Sequence, residues 1–198
     1  MTHRTKPARP RVRGAQPEVA YQLKVTLLDV KPPVWRRLLV PGTISLDRLH
    51  TVIQKAMEWT DAHLHEFVIQ GRRYGPPDPE EPDARIRPES LMSLRQATPV
   101  QGLRFEYLYD FGDNWTHEVQ VESIQVPEKE LRHAVCLAGE RRCPPEDCGG
   151  PAGCAEFLEA IRDPGHPQHR EMLDWIGGAF DPDAFDLNAI NRKLRLLK

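Results

Sequence analysis

The sequence predicts an α+β domain. It should hold a mixed or antiparallel sheet whose N-terminal half runs strand, strand, helix, strand, followed by a helical C-terminal segment. Three observations carry this expectation. Residues 21–28, YQLKVTLL, alternate apolar and polar side chains, as a half-buried strand does. Leu46, Leu49, Val52, Ile53, Ala56 and Met57 recur at helical spacing and form one apolar stripe. Strand patterns come early in the chain and helical patterns late, the order of an α+β fold rather than of alternating βαβ units.

Taken in order, the first strand places Tyr21, Leu23, Val25 and Leu27 on one face. Lys31-Pro32-Pro33 breaks it, and Trp35 to Val40 reads as the second strand, closed by Pro41-Gly42. In that strand the alternation is expected to bury Trp35 and expose an arginine. Ser45 is the expected N-cap of the helix, which should end near Trp59-Thr60. His50 lies at the border of its stripe. HLHEFVIQG is the third strand, with His65, Phe67 and Ile69 sharing a face. Residues 75–98 read as a long proline-rich loop with a short helix or turn near Leu91 to Arg95. LRFEYLYD and THEVQVESIQV form a hairpin around the turn residues FGDNW. Residues 133–154 read as a Cys/Pro/Gly loop. Helices follow at CAEFLEAIRD, HREMLDWIGG and DLNAINRKLRLL, the last with Asp186 as N-cap.

Composition narrows the class. With 198 residues, 39% hydrophobic and 28% charged, the chain suits a single globular domain with its own core. The net charge of −2 hides an asymmetry. Residues 1–13 carry five of the 27 Lys and Arg and no acid, so the remainder holds 22 against 29 Asp and Glu, a balance of −7. Residues 1–18 are therefore expected to be a disordered basic arm on an acidic domain spanning 19–198. No apolar run follows the basic residues, and no stretch approaches the ~20 apolar residues of a membrane span. A cytoplasmic protein is expected, with no membrane partner. Its thiols would then stay reduced, which disfavours a disulfide knot.

Two groups of residues carry chemistry. All four cysteines fall within CLAGERRCPPEDCGGPAGC, residues 136–154. Their spacing is wider than the tight pairs of zinc knuckles, but the prolines and glycines allow distant thiolates to converge. Cys136, Cys143 and Cys148 are the candidate metal ligands, His133 is near enough to complete the set, and zinc is the cation such donors favour. The alternative is thiols buried as small hydrophobes. The second group is YDFGDNWTH, which places Asp110, Asp113 and His117 at one end of the hairpin. His117 and His65 share strand parity with core residues and should point inward. Glu146 and Asp147, held by Pro144-Pro145, are placed either to cap the next helix or to act as a general base. No phosphate-binding loop, G-x-S-x-G elbow or H-E-x-x-H helix is present.

The segments PPVWRR, SLDRLHTVIQKAMEW, HLHEFVIQGRRYG, YDFGDNWTHEV, CLAGERRCPPEDCGG and WIGGAFDPDAFD, in this order, resemble the plasmid pRiA4b ORF-3-like family over residues 19–192. Members of that family also occur as passenger TnpR-like proteins of insertion elements. The resemblance implies one compact α+β domain of bacteria and archaea, often near mobile DNA, and supplies no reaction. The family tends to place an aromatic where this chain has Cys154, so a shared family site would rest on Cys136 and Cys143. By architecture alone, the strand-strand-helix-strand order also looks like the β-grasp half of ubiquitin-like folds.

Three readings of function follow. The absence of a complete catalytic constellation favours a non-catalytic binding or accessory module of mobile elements, with an unidentified protein or nucleic-acid partner. A zinc-dependent hydrolase or nuclease would use Cys136, Cys143, His117 and an aspartate as ligands and Glu146 as base. A DNA-binding accessory protein would use the basic arm and the Arg36–Arg37 strand.

Overall fold

The structure is a computed structural model, and residues 18–77 and 85–197 are described. The expected basic arm therefore lies almost entirely outside the described residues. Among the described residues eight strands form one sheet: β1 (Ala20–Leu27), β2 (Val34–Pro41), β3 (His65–Ile69), β4 (Arg72–Gly75), β5 (Ile86–Pro88), β6 (Arg104–Tyr109), β7 (Trp115–Gln125) and β8 (Val135–Glu140). Among the described residues five α-helices accompany them, α1 (Leu46–Met57), α2 (Leu94–Ala97), α3 (Gly150–Arg162), α4 (His169–Trp175) and α5 (Leu187–Arg195), with a 3-10 turn at Glu89–Leu91. The class is α+β, as the pattern predicts. No helix among the described residues is long and apolar enough to cross a membrane.

The sheet order is β5-β4-β3-β6-β7-β1-β2-β8, antiparallel throughout except for the β4–β5 pair. β3 does not join β1, because the β6–β7 hairpin lies between them. The inward face of the central strands carries Leu23, Val25, Leu38, Val40, Phe67, Tyr107, Val119 and Val121, all buried against the apolar stripe of α1. The outward face is polar. Arg37 meets Glu122 through two hydrogen bonds of 2.7 and 2.9 Å, and Arg104 meets Glu118. Such cross-strand pairs stabilise a solvent face modestly.

β2 reverses one expectation. Its alternation is real, but Arg36 is the buried residue and Trp35 the partly exposed one. Arg36 can sit inside because its donors are used. Nε donates to Ala56 O at 2.8 Å, and Nη1 donates to Trp35 O at 2.9 Å and Glu140 O at 3.0 Å. The guanidinium lies 4.8 Å from the Phe185 ring centre. Ala56 O belongs to the last turn of α1, so this arginine ends the helix as a cationic C-cap would. Arg36–Arg37 is therefore no exposed basic strand for DNA.

Three further differences follow from short or edge elements. The expected 75–98 loop contains β5 and α2, and Pro88 is the last residue of β5. The expected 133–154 loop is shorter: β8 takes its first part and α3 its last, leaving 141–149. β8 is an edge strand, and Asn191 of α5 covers it by accepting from Cys136 N and donating to Cys136 O, each at 2.9 Å. Ser45 occupies the N-cap position of α1, but its side chain makes no capping bond. Asp186 caps α5 as expected, accepting from Ala189 N at 2.8 Å.

Candidate metal centre

The 141–149 loop folds back over the turn of the β6–β7 hairpin. Glu146 fastens it. One carboxylate oxygen accepts from Thr60 N at 3.0 Å and Thr60 Oγ1 at 2.6 Å, and the other accepts from Tyr109 OH at 2.5 Å. Burial, reinforced by that bond, raises the Tyr109 pKa, so the phenol stays a donor. Trp59 Nε1 donates to Pro144 O at 2.9 Å, and its ring stacks on Tyr109 at 5.1 Å. With both oxygens engaged, Glu146 is a clamp rather than the general base that the sequence allowed.

Asp113 completes the docking. Its Oδ2 accepts from Gly149 N at 3.2 Å, and its carbonyl lies against Gly150. A Cβ on Gly150 would fall 2.3 Å from Asp113 O, and the backbone there has φ +68°. Gly150→Ala is expected to cost about 2 kcal/mol from steric overlap and left-handed strain. Urea unfolding reads this, and a loss below 0.5 kcal/mol, roughly the level of an ordinary surface change, would contradict tight docking of the loop.

Docking brings His63, Asp110 and Asp147 together. One ligand atom from each lies within 4.8 Å of the others, the one such group of three among the described residues. Asp110 directly follows β6 with φ 57°, and its Oδ1 accepts from Gly112 N at 2.9 Å, which turns Oδ2 toward His63. Asp147 has φ 61° on the returning loop. Aspartate tolerates this left-handed region better than most residues. His63 Nε2 lies 3.6 Å from Asp110 Oδ2 and 3.1 Å from Asp147 Oδ1. This nitrogen is buried yet makes no hydrogen bond of acceptable geometry. Donors about 2.1 Å from a tetrahedral ion lie about 3.4 Å apart, so these separations suit a shared cation.

Of the expected site residues, Asp110 and Asp147 belong to this group, and Asp113 and Glu146 support it. His65 does not. It stacks on His50 with ring centres 3.4 Å apart and meets Glu89 at 2.9 Å. His117 is enclosed in the core, its Nδ1 donating to Tyr107 O at 3.1 Å, and cannot reach the loop as a ligand. The thiols do not form the expected metal set. Cys136 donates to Ala138 O. Cys143 lies 3.4 Å from Met57 Sδ, and burial pushes its pKa up to about 12, which disfavours the thiolate a metal needs. Cys148 donates to Cys154, which raises its own pKa and lowers that of Cys154. Sequence reasoning reached His63 only as one of two histidines spaced as a strand pair of ligands, and did not place it in the site. Its signal was the H-x-H spacing of HLHEF, of which only the second histidine lies in the strand.

Comparison with known proteins finds the following similarities. The family described as plasmid pRiA4b ORF-3-like protein matches residues 19–189. The chain is 44% identical over 174 residues to uncharacterized protein y4hQ of Sinorhizobium fredii (strain NBRC 101917 / NGR234), covering 86% of this chain and 88% of that one. It also resembles the crystal structure of a protein of unknown function, MM3350, from Methanosarcina mazei Go1. That match has a TM-score of 0.77 and 33% identity, and covers 87% of this chain and 97% of that one.

Proposed function

We propose, for a chain that belongs to the plasmid pRiA4b ORF-3-like protein family, that it is a cation-dependent binding module in which His63, Asp110 and Asp147 hold a divalent metal. The observation that carries this reading is the buried His63 Nε2, which faces two carboxylate oxygens and bonds neither. Neutral imidazole with two carboxylates suits zinc among first-row ions. Three protein donors leave at least one coordination position for a ligand. Asp147 also lines a cleft of about 300 Å³ with Trp175, Met172 and Glu156, where that ligand has room. The description of the family as plasmid-borne supports an accessory role beside mobile DNA. A binding role is favoured over hydrolysis because the nearby Glu146 carboxylate is already used by Thr60 and Tyr109.

Zinc titration of untagged, chelator-stripped protein followed by calorimetry tests the reading. One zinc per chain is expected, with at least a hundred-fold loss of affinity in His63→Ala and in Asp110→Asn. Zinc retained by His63→Ala but lost by Cys143→Ser would move the cation to the thiols. No stoichiometric zinc in the parent protein would overturn the reading.

A further inference from the structure

Two thiols outside the cation group meet at the start of α3. The chain turns sharply after Cys148, where Gly149 and Gly150 have φ of +87° and +68°, and the turn lays residue 148 against the helix. The approach is close enough to require glycine at 153, where a Cβ would fall 1.9 Å from Cys148 O. The Cys148 thiol then donates its hydrogen to Cys154. The two differ in access. Cys148 is half-buried and lines the cleft of about 300 Å³ beside Trp175, whereas Cys154 is buried. The other two thiols are engaged elsewhere. Cys136 donates to Ala138 O at 3.4 Å, and Cys143 lies 3.4 Å from Met57 Sδ and 3.7 Å from Arg36 Nη2.

We propose that Cys148 and Cys154 are a redox-modification site, where a peroxide converts the two thiols into a reversible disulfide. Such a bond needs backbones held close and sulfurs that face each other, and this pair has both. The accessible Cys148 sulfur attacks the peroxide first. An S–O bond forms, the O–O bond breaks, and the thiol proton leaves in the first water, giving a sulfenic acid. The Cys154 sulfur then attacks the Cys148 sulfur. The S–S bond forms, the S–O bond breaks, and the Cys154 proton leaves in the second water. Two thiols have lost two hydrogens, and the peroxide has been reduced to water. The product ties the docked loop to α3 by a covalent bond, directly after Asp147. The half-exposed Cys148 sulfur leaves this bond open to thiol reductants, so the change reverses.

Hydrogen peroxide treatment of the reduced full chain, in chelator so that the cation group plays no part, tests the proposal by mass spectrometry. Cleavage after Glu146 and Glu156 gives residues 147–156, a peptide with both thiols and no other cysteine. This peptide is expected to lose two hydrogens and to resist alkylation, and dithiothreitol should restore it. Cys148→Ser and Cys154→Ser should each abolish the bond with folding unchanged by circular dichroism. Cys143→Ser should leave the bond intact. A peptide that stays fully open to alkylation would overturn the proposal. So would a bond that links Cys143 to Cys154, or Cys148 oxidised past the sulfenic acid with no bond formed.

Discussion

Arg36→Ala is expected to lower unfolding stability by about 3–5 kcal/mol, the size of effect seen when one partner of a buried charged network is removed. The side chain is fully buried and binds three carbonyl oxygens, from Ala56, Trp35 and Glu140. These come from the end of α1, from β2 itself and from the end of β8, so one guanidinium ties three elements. Truncation leaves buried acceptors without donors and opens a void beneath Phe185. That ring packs so closely on Gly139 that a Cβ there would come within 2.6 Å of it. Arg36→Lys should recover only part of the loss, since one ammonium cannot reach three acceptors in the fork geometry of arginine. Urea unfolding of the three proteins is the measurement. A loss under 1 kcal/mol for alanine, at an unchanged denaturant slope, would mean that the carbonyls find water and the network is dispensable. Against a typical domain stability of about 5–15 kcal/mol the expected loss is large.

The same arginine shows where sequence reading stops. The period of two in β2 was legible, and so were β1, the α1 stripe, the β6–β7 hairpin and the Asp186 cap. Each rests on contacts within a short window. Which face of β2 points inward was not legible. The carbonyls that make a buried arginine tolerable are 20 and 104 residues away. β4, β5 and β8 escaped for a related reason: they are short or lie toward the sheet margins, and backbone pairing holds them more than pattern does. In the candidate site, Asp110 and Asp147 stood out because each sits among turn-forming residues with a physical signature. His63 did not, since it lies in an aperiodic connection between α1 and β3. Cysteine spacing misled in the opposite direction. Four thiols close in sequence form no common ligand group among the described residues, because β8 takes Cys136, α3 takes Cys154, and Cys148 bonds Cys154.

Acid should destabilise the domain through His117, by about 3 kcal/mol between neutral pH and pH 4. Desolvation of the fully buried ring lowers its pKa from 6.5 to about 4, against a smaller opposing effect of its bond to Tyr107 O. Because that carbonyl can only accept, Nδ1 carries the proton and the ring is neutral in the folded protein. The unfolded chain takes up a proton below about pH 6.5, whereas the folded one does so only near 4. Between these values the unfolded state binds more protons, so stability rises with pH across the window and is fully present above it. A shift of about 2.5 units corresponds to about 3 kcal/mol. His50, also lowered by burial and by its neighbour His65, adds to the loss in the same direction. His117→Asn isolates the effect, because an amide can donate to the same carbonyl and does not titrate. Urea unfolding at a series of pH values from 7.5 to 4 should show a shallower pH dependence for the variant than for the parent. Equal slopes would show that the ring is protonated inside the fold, with its charge stabilised by a group other than Tyr107 O.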